Sequence, residues 1–148
     1  MTSSDEKIVT RAIRILMKEL DVPGELLTAP STVKRYLSLR LARKEHEVFG
    51  ALWLNAQNRL ISDEVIFFGT LNQTAVHPRE VVKKALACNA ASLVCYHNHP
   101  SGNAAPSEAD RHLTTTLRNA LELVEVRLLD HIIVGGLETY SFAEHGNL

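Results

Sequence analysis

The chain has 148 residues, 45% of them apolar and 22% charged, the length and balance of one globular domain with a core of its own. Its 16 Lys and Arg against 17 Asp and Glu weigh against a dedicated nucleic-acid binder, since neutralising phosphates calls for a basic excess. No signal-peptide pattern and no apolar run of membrane-spanning length is legible, and Cys88 and Cys95 form no Cys-x-x-Cys pair, so free thiols in a reducing cytoplasm and no membrane partner are expected.

The apolar stripe Ile8, Val9, Ala12, Ile13, Leu16 and Leu20 predicts an amphipathic helix over 5–20. Asp21-Val22-Pro23-Gly24 breaks it, and Ser31 is an expected N-cap for a second helix with Val33, Tyr36, Leu37 and Leu41 on one face. The Lys and Arg residues of the 38–44 stretch then form that helix's solvated side. Val48 to Leu54 is an apolar run of strand length, Asn55 to Asn58 a hairpin turn, and Leu60 to Phe68 the partner strand. Pro78 suits the first turn of a helix reaching about Asn89, with His77 at its entry.

Ala91 to Tyr96 is nearly all apolar, as in a strand buried on both faces. A long helix follows over 107–123, then a strand over 126–134 and a short last one over 139–142. The order α-α-β-β-α-β-α-β-β predicts an α/β (α+β) fold, a mixed β-sheet flanked by helices. Residues 1–30 read as a helical appendage and 31–148 as the domain proper. Phe49 and Trp53 fit the core, and His46, His112 and His145 the surface.

The chemistry concentrates in HNHPSGNAAPSEAD, His97 to Asp110. If the preceding strand continues, His97 and His99 project from one face at its C-terminal end. Ser107 and Asp110 lie three apart at the start of the next helix, on a shared face. The short loop between them allows the helix start to fold back onto the histidines. Two imidazoles and a carboxylate, with water in the fourth position, form the ligand set of a catalytic Zn²⁺. Zinc would bring the pKa of its water toward ~7 and polarise a carbonyl, so hydrolysis is the natural chemistry. Such a site also needs a base that does not ligate. Glu47 opens an otherwise uncharged strand, but by spacing alone Glu45, Glu64 and Glu80 compete with it. His131, beside Asp130 in an apolar run, reads as half of a hydrogen-bonded core pair rather than as a ligand.

The string His97-x-His99-Pro100 followed by Ser107-x-x-Asp110 resembles the signature of the JAMM (MPN-plus) metallopeptidases. The resemblance implies the JAMM/MPN (cytidine-deaminase-like) architecture. It also implies zinc held by His97, His99 and Asp110, with Ser107 helping to stabilise the tetrahedral intermediate. In that superfamily a Glu in a context like E-V-x-G-x-L is the general acid/base. Glu47-Val48-Phe49-Gly50-Ala51-Leu52 matches it, which selects Glu47 over its competitors. Phe68-Gly69-Thr70, His77-Pro78-Arg79-Glu80, His97-Asn98-His99-Pro100-Ser101-Gly102 and Asp130-His131-Ile132-Ile133-Val134-Gly135 together look like the bacterial RadC-like branch, over residues 31–146. The function implied is hydrolysis of a peptide or isopeptide bond in a peptide or protein substrate. The alternative is a binding module of DNA repair or mobile elements with a structural metal. Longer members carry a helix-hairpin-helix segment. The ~30 residues ahead of the shared part are too few for it, so a DNA-binding role is not expected to carry over.

Overall fold

The computed structural model describes residues 1–21, 30–69 and 76–148. The Val22-Pro23-Gly24 part of the expected break, and Thr70, lie outside the described residues. In chain order the elements are α1 (Ser3–Leu20), α2 (Pro30–Leu41), β1 (Val48–Leu54), β2 (Leu60–Phe68), α3 (Pro78–Ala87), β3 (Ser92–Asn98), α4 (Glu108–Glu122), β4 (Arg127–Gly135) and β5 (Glu138–Ser141). The strands form one five-stranded sheet in the order β2-β1-β3-β4-β5. Among the described residues only β3 and β4 run parallel; the other neighbours are antiparallel. This is the mixed sheet flanked by helices that the element order predicts.

Every residue of β1 and of β3 is buried, because these central strands carry helices on both faces. On one face Phe49, Ala51, Trp53, Leu93 and Cys95 pack against Val81 and Ala85 of α3 and Leu113, Leu117 and Leu121 of α4. On the other, Val48, Leu52, Leu54, Val94, Tyr96 and Ile132 meet Val33, Tyr36, Leu37 and Leu41 of α2, and Leu20 of α1 joins them. Each large apolar side chain so enclosed stabilises the fold by about 1.5–3 kcal/mol, far more than an exposed ion pair such as Arg59–Asp21. Among the described residues no helix is long and apolar enough to cross a membrane.

Two local details depart from the sequence reading. The second helix begins at Pro30, whose fixed φ suits a first turn, so Ser31 lies within that turn instead of capping it. Arg40, expected on a solvated face, turns inward to Asp63 of β2, with Nε 2.9 Å from Oδ2. The same carboxylate accepts from the hydroxyls of Tyr36 and Tyr96, tying α2 to β2 and β3. Tyr96 reaches it by crossing Gly50, where an added Cβ would clash with the ring.

Candidate metal centre

His97 sits one residue from the end of β3 and His99 just beyond it, where the amide of His99 still donates to Val134 O at 2.8 Å. The ladder therefore continues to His99, and alternation puts both imidazoles on the α4 side of the sheet. The chain then turns sharply, with Gly102 N–H donating to His99 O at 3.0 Å and Ala105 N–H to Asn103 Oδ1 at 3.0 Å. The turn lies against the end of β4. A Cβ on Gly135 would come within 2.5 Å of Ala104 N, so the close approach depends on glycine.

The turn delivers Ser107 as the N-cap of α4. Its Oγ accepts from Asp110 N–H at 3.0 Å, and Asp110 Oδ2 accepts from Ser107 N–H at 2.8 Å, a complete capping box. The box fixes the Asp110 carboxylate so that Oδ1 lies 3.2 Å from His97 Nε2 and Oδ2 lies 3.2 Å from His99 Nε2. The two Nε2 atoms are 2.9 Å apart. One ligand atom from each residue falls within 4.8 Å of the others.

The charges in this cluster decide what it can hold. His99 Nδ1 is 2.8 Å from the carbonyl of Asn103. A carbonyl only accepts, so that nitrogen carries the proton and Nε2 presents a lone pair. An imidazole lone pair therefore converges with a second imidazole and a carboxylate in a pocket where His97 is fully buried and Asp110 is 5% exposed. So electron-rich a set needs a proton or a cation between its members. Hydrogen bonding to Asp110 raises the pKa of His99 more than burial lowers it. Burial dominates at His97 and lowers its pKa, although Asp110 pulls the other way. Burial alone would raise the pKa of Asp110, but the neighbouring imidazoles of His97 and His99 and the Ser107 N–H outweigh it and hold the carboxyl well below the usual range. The carboxylate that favours a proton on His99 also favours a cation between the three side chains. Nitrogen and oxygen donors in this number fit a divalent ion with one coordination position open.

Glu47 immediately precedes β1, half-exposed, and its charge is felt at both His97 and His99. With Glu45, His46, Gly69, Pro100 and Ser101 it lines a surface depression. Of its competitors, Glu64 pairs with Lys84 at 2.8 Å and Glu80 with Lys83 at 3.6 Å, while Glu45 is exposed on the depression's rim. Asn98, between the two histidines, is buried on the opposite face. Its Oδ1 accepts from Val48 N–H at 2.8 Å and its Nδ2 donates to His46 O at 3.0 Å. The side chain thereby grips the backbone on either side of Glu47. The His-Asn-His string itself carries no sign of this role, because the backbone partners lie 50 and 52 residues earlier in the chain.

His131 is a buried, hydrogen-bonded core residue, as expected, but its partner is not the Asp130 side chain. Adjacent strand residues face opposite ways, and the Asp130 carboxylate meets His131 through the backbone alone, whose N–H donates to Oδ1 at 2.7 Å. The imidazole instead lies between His97 and Thr114. His77 is the N-cap position of α3 without a side-chain cap, and His46, His112 and His145 are exposed.

A mixed sheet between helical layers, with two histidines at a strand end and an aspartate at the next helix start, has the form of the JAB/MPN fold. The family model described as a RadC-like JAB domain matches residues 27–147, and the chain belongs to that family. It is 50% identical over 148 residues to the UPF0758 protein YkfG of Escherichia coli (strain K12), covering all of this chain and 94% of the relative. Against the UPF0758 protein YeeS of the same organism it is 49% identical, with both chains covered in full. A longer UPF0758 protein from Janthinobacterium sp. (strain Marseille) is 53% identical over 135 residues, 91% of this chain and 60% of the relative.

Proposed function

We propose that the chain is a zinc-dependent hydrolase of amide bonds, peptide or isopeptide, in a peptide or protein substrate. The observation that carries this reading is the convergence of His97 Nε2, His99 Nε2 and the Asp110 carboxylate within 4.8 Å, together with a second, non-ligating carboxylate at Glu47 whose charge reaches both imidazoles. His97, His99 and Asp110 would hold the ion. When bound, it supplies Lewis acidity that polarises a carbonyl and makes water a better acid.

The remaining work falls to the chain's own groups. Glu47 takes a proton from the attacking water as the new C–O bond forms, then delivers it to the amide nitrogen as the C–N bond breaks. Ser107 Oγ already accepts the Asp110 amide, which leaves its own proton to donate to the carbonyl oxygen as charge develops there. The depression lined by Glu47, Gly69 and Pro100 is where the scissile bond would lie. The near-neutral charge supports a protein substrate over DNA, and the two free thiols support a cytoplasmic setting.

The test measures zinc content and peptidase activity together. Glu47→Gln is expected to keep its zinc and lose activity by about 10²-fold or more; loss of zinc in that variant would make Glu47 a ligand and overturn its assignment as the base. Asp110→Asn and His99→Ala are expected to lose zinc, and full metal content by elemental analysis in either would refute the ligand set. DNA binding that weakens steeply with salt, with no hydrolysis of any peptide in a broad screen, would favour the binding-module alternative.

A further inference from the structure

His97 differs from His99 in how its second nitrogen is held. Its Nδ1 faces a second imidazole, with His131 Nε2 2.7 Å away. The other nitrogen of His131, Nδ1, is 2.6 Å from Thr114 Oγ1, and that hydroxyl is 2.7 Å from the backbone carbonyl of Asp110. The chain begins on one proposed metal ligand and closes on the backbone of another, entirely within buried structure.

The direction of its protons follows from its last member. A carbonyl cannot donate, so Thr114 spends its single proton on Asp110 O and can only accept from His131. His131 Nδ1 therefore carries a proton. With that proton placed, the neutral ring offers a lone pair at Nε2, and His97 must donate into it from Nδ1. The lone pair of His97 is left on Nε2, 3.2 Å from Asp110 Oδ1. A doubly protonated His131 would force the opposite arrangement, with a proton on His97 Nε2 and no ligand there. Both aromatic neighbours hold the His131 ring in place: Phe142 stacks on it at 4.7 Å and 7°, and Phe49 meets it edge-on at 5.9 Å.

We propose that Thr114 and His131 are positioning residues that set the tautomer of His97, keeping its Nε2 lone pair turned toward His99 and Asp110. The proposal rests on the reading of His97 as a metal ligand. It explains why a threonine sits one helical turn after Asp110, on the same face of α4. It also explains why an imidazole occupies a wholly buried position on β4. Partners at the non-ligating nitrogen of a metal-binding histidine commonly govern metal affinity by about 10–100-fold.

Two readouts test it, neither of them catalytic. In ¹⁵N-histidine-labelled protein stripped of metal, long-range ¹H–¹⁵N spectra should show His97 protonated at Nδ1. Thr114→Val, which keeps the shape and removes the hydroxyl, should show a growing Nε2-protonated fraction. It should also bind Zn²⁺ about 10-fold or more weakly in competition with a chromophoric chelator. Thr114→Ser, which restores the hydroxyl, should recover both properties; a purely steric role for the residue would leave the serine variant no better than the valine. Wild-type protein with its proton on His97 Nε2, or a folded Thr114→Val with undiminished zinc affinity, overturns the proposal. Wild-type protein that binds no zinc would defeat the hydrolase reading, while the tautomer spectra would still decide the hydrogen-bond chain.

Discussion

Asp110, buried, and Asp130, half-buried, show how much a carboxylate's partners decide. Asp110 is surrounded by groups that carry or can take positive charge, and its pKa falls. Asp130 accepts three hydrogen bonds, from Ser141 Oγ at 2.5 Å, His131 N–H at 2.7 Å and Ala143 N–H at 3.0 Å, yet its pKa is raised. Burial outweighs these neutral donors, and the charge of Glu144 adds to it. The sign for stability follows from linkage. The folded state holds the Asp130 proton above the unfolded value of about 3.9, so its contribution is fully present below that pH and is lost as pH rises through the folded value. Asp130→Asn does not titrate. In urea titrations across pH 3.5–6.5, its unfolding free energy should therefore compare worst with wild type at the acid end and gain on it with rising pH. A difference that is constant across the range would show that folding leaves the Asp130 pKa at its unfolded value.

At the scale of elements, the site depends on how the 99–106 turn seats on the end of β4. Gly135 sets that distance. An added methyl would meet Ala104 N at 2.5 Å and the carbonyl carbon of Asn103 at 2.6 Å, and the oxygen of that carbonyl is the acceptor for His99 Nδ1. Gly135→Ala should therefore displace the acceptor and weaken zinc binding by about 10-fold. The overpacking itself should cost about 1–3 kcal/mol. Far-UV circular dichroism should be unchanged, since no helix or strand is touched in its interior; zinc affinity equal to wild type would show that the turn adapts without moving the carbonyl.

Local signals made these elements legible in the sequence. The start of α4 is written in Ser107-x-x-Asp110, and the bounds of β1 and β2 follow from apolar runs on either side of an Asn-rich turn. What local pattern could not supply is the partner of His131. It depends on β4 lying parallel to β3 and on a one-residue shift between Leu93 and Val94 that sets His131 opposite Cys95. Thr114 arrives from α4 by packing across the sheet. Asn98 was hidden for a related reason: its partners belong to a strand start far away in sequence.

Across the whole molecule, the proposed ligands come from the central strand β3 and from α4, which packs on one face of the sheet. A bound ion therefore joins two layers that separate only when the domain unfolds, and its binding energy adds to global stability. Cys95 is placed to report this. It lies mid-strand in β3, fully buried, and burial raises its thiol pKa well above normal. The native protein should leave it unreactive even as pH rises, so labelling requires global opening. Cys88 is only partly buried at the C-cap of α3, where fraying exposes it without unfolding the sheet. Zinc at 100 times its dissociation constant should stabilise the fold by about 2.7 kcal/mol, slowing Cys95 labelling about 100-fold when reclosing outpaces the reagent. Cys88 labelling should not respond. In Asp110→Asn the zinc effect on Cys95 should vanish. Zinc that binds the wild-type protein yet leaves Cys95 labelling unchanged would mean that the ion does not bridge β3 and α4, and the ligand set drawn from both elements would have to be abandoned.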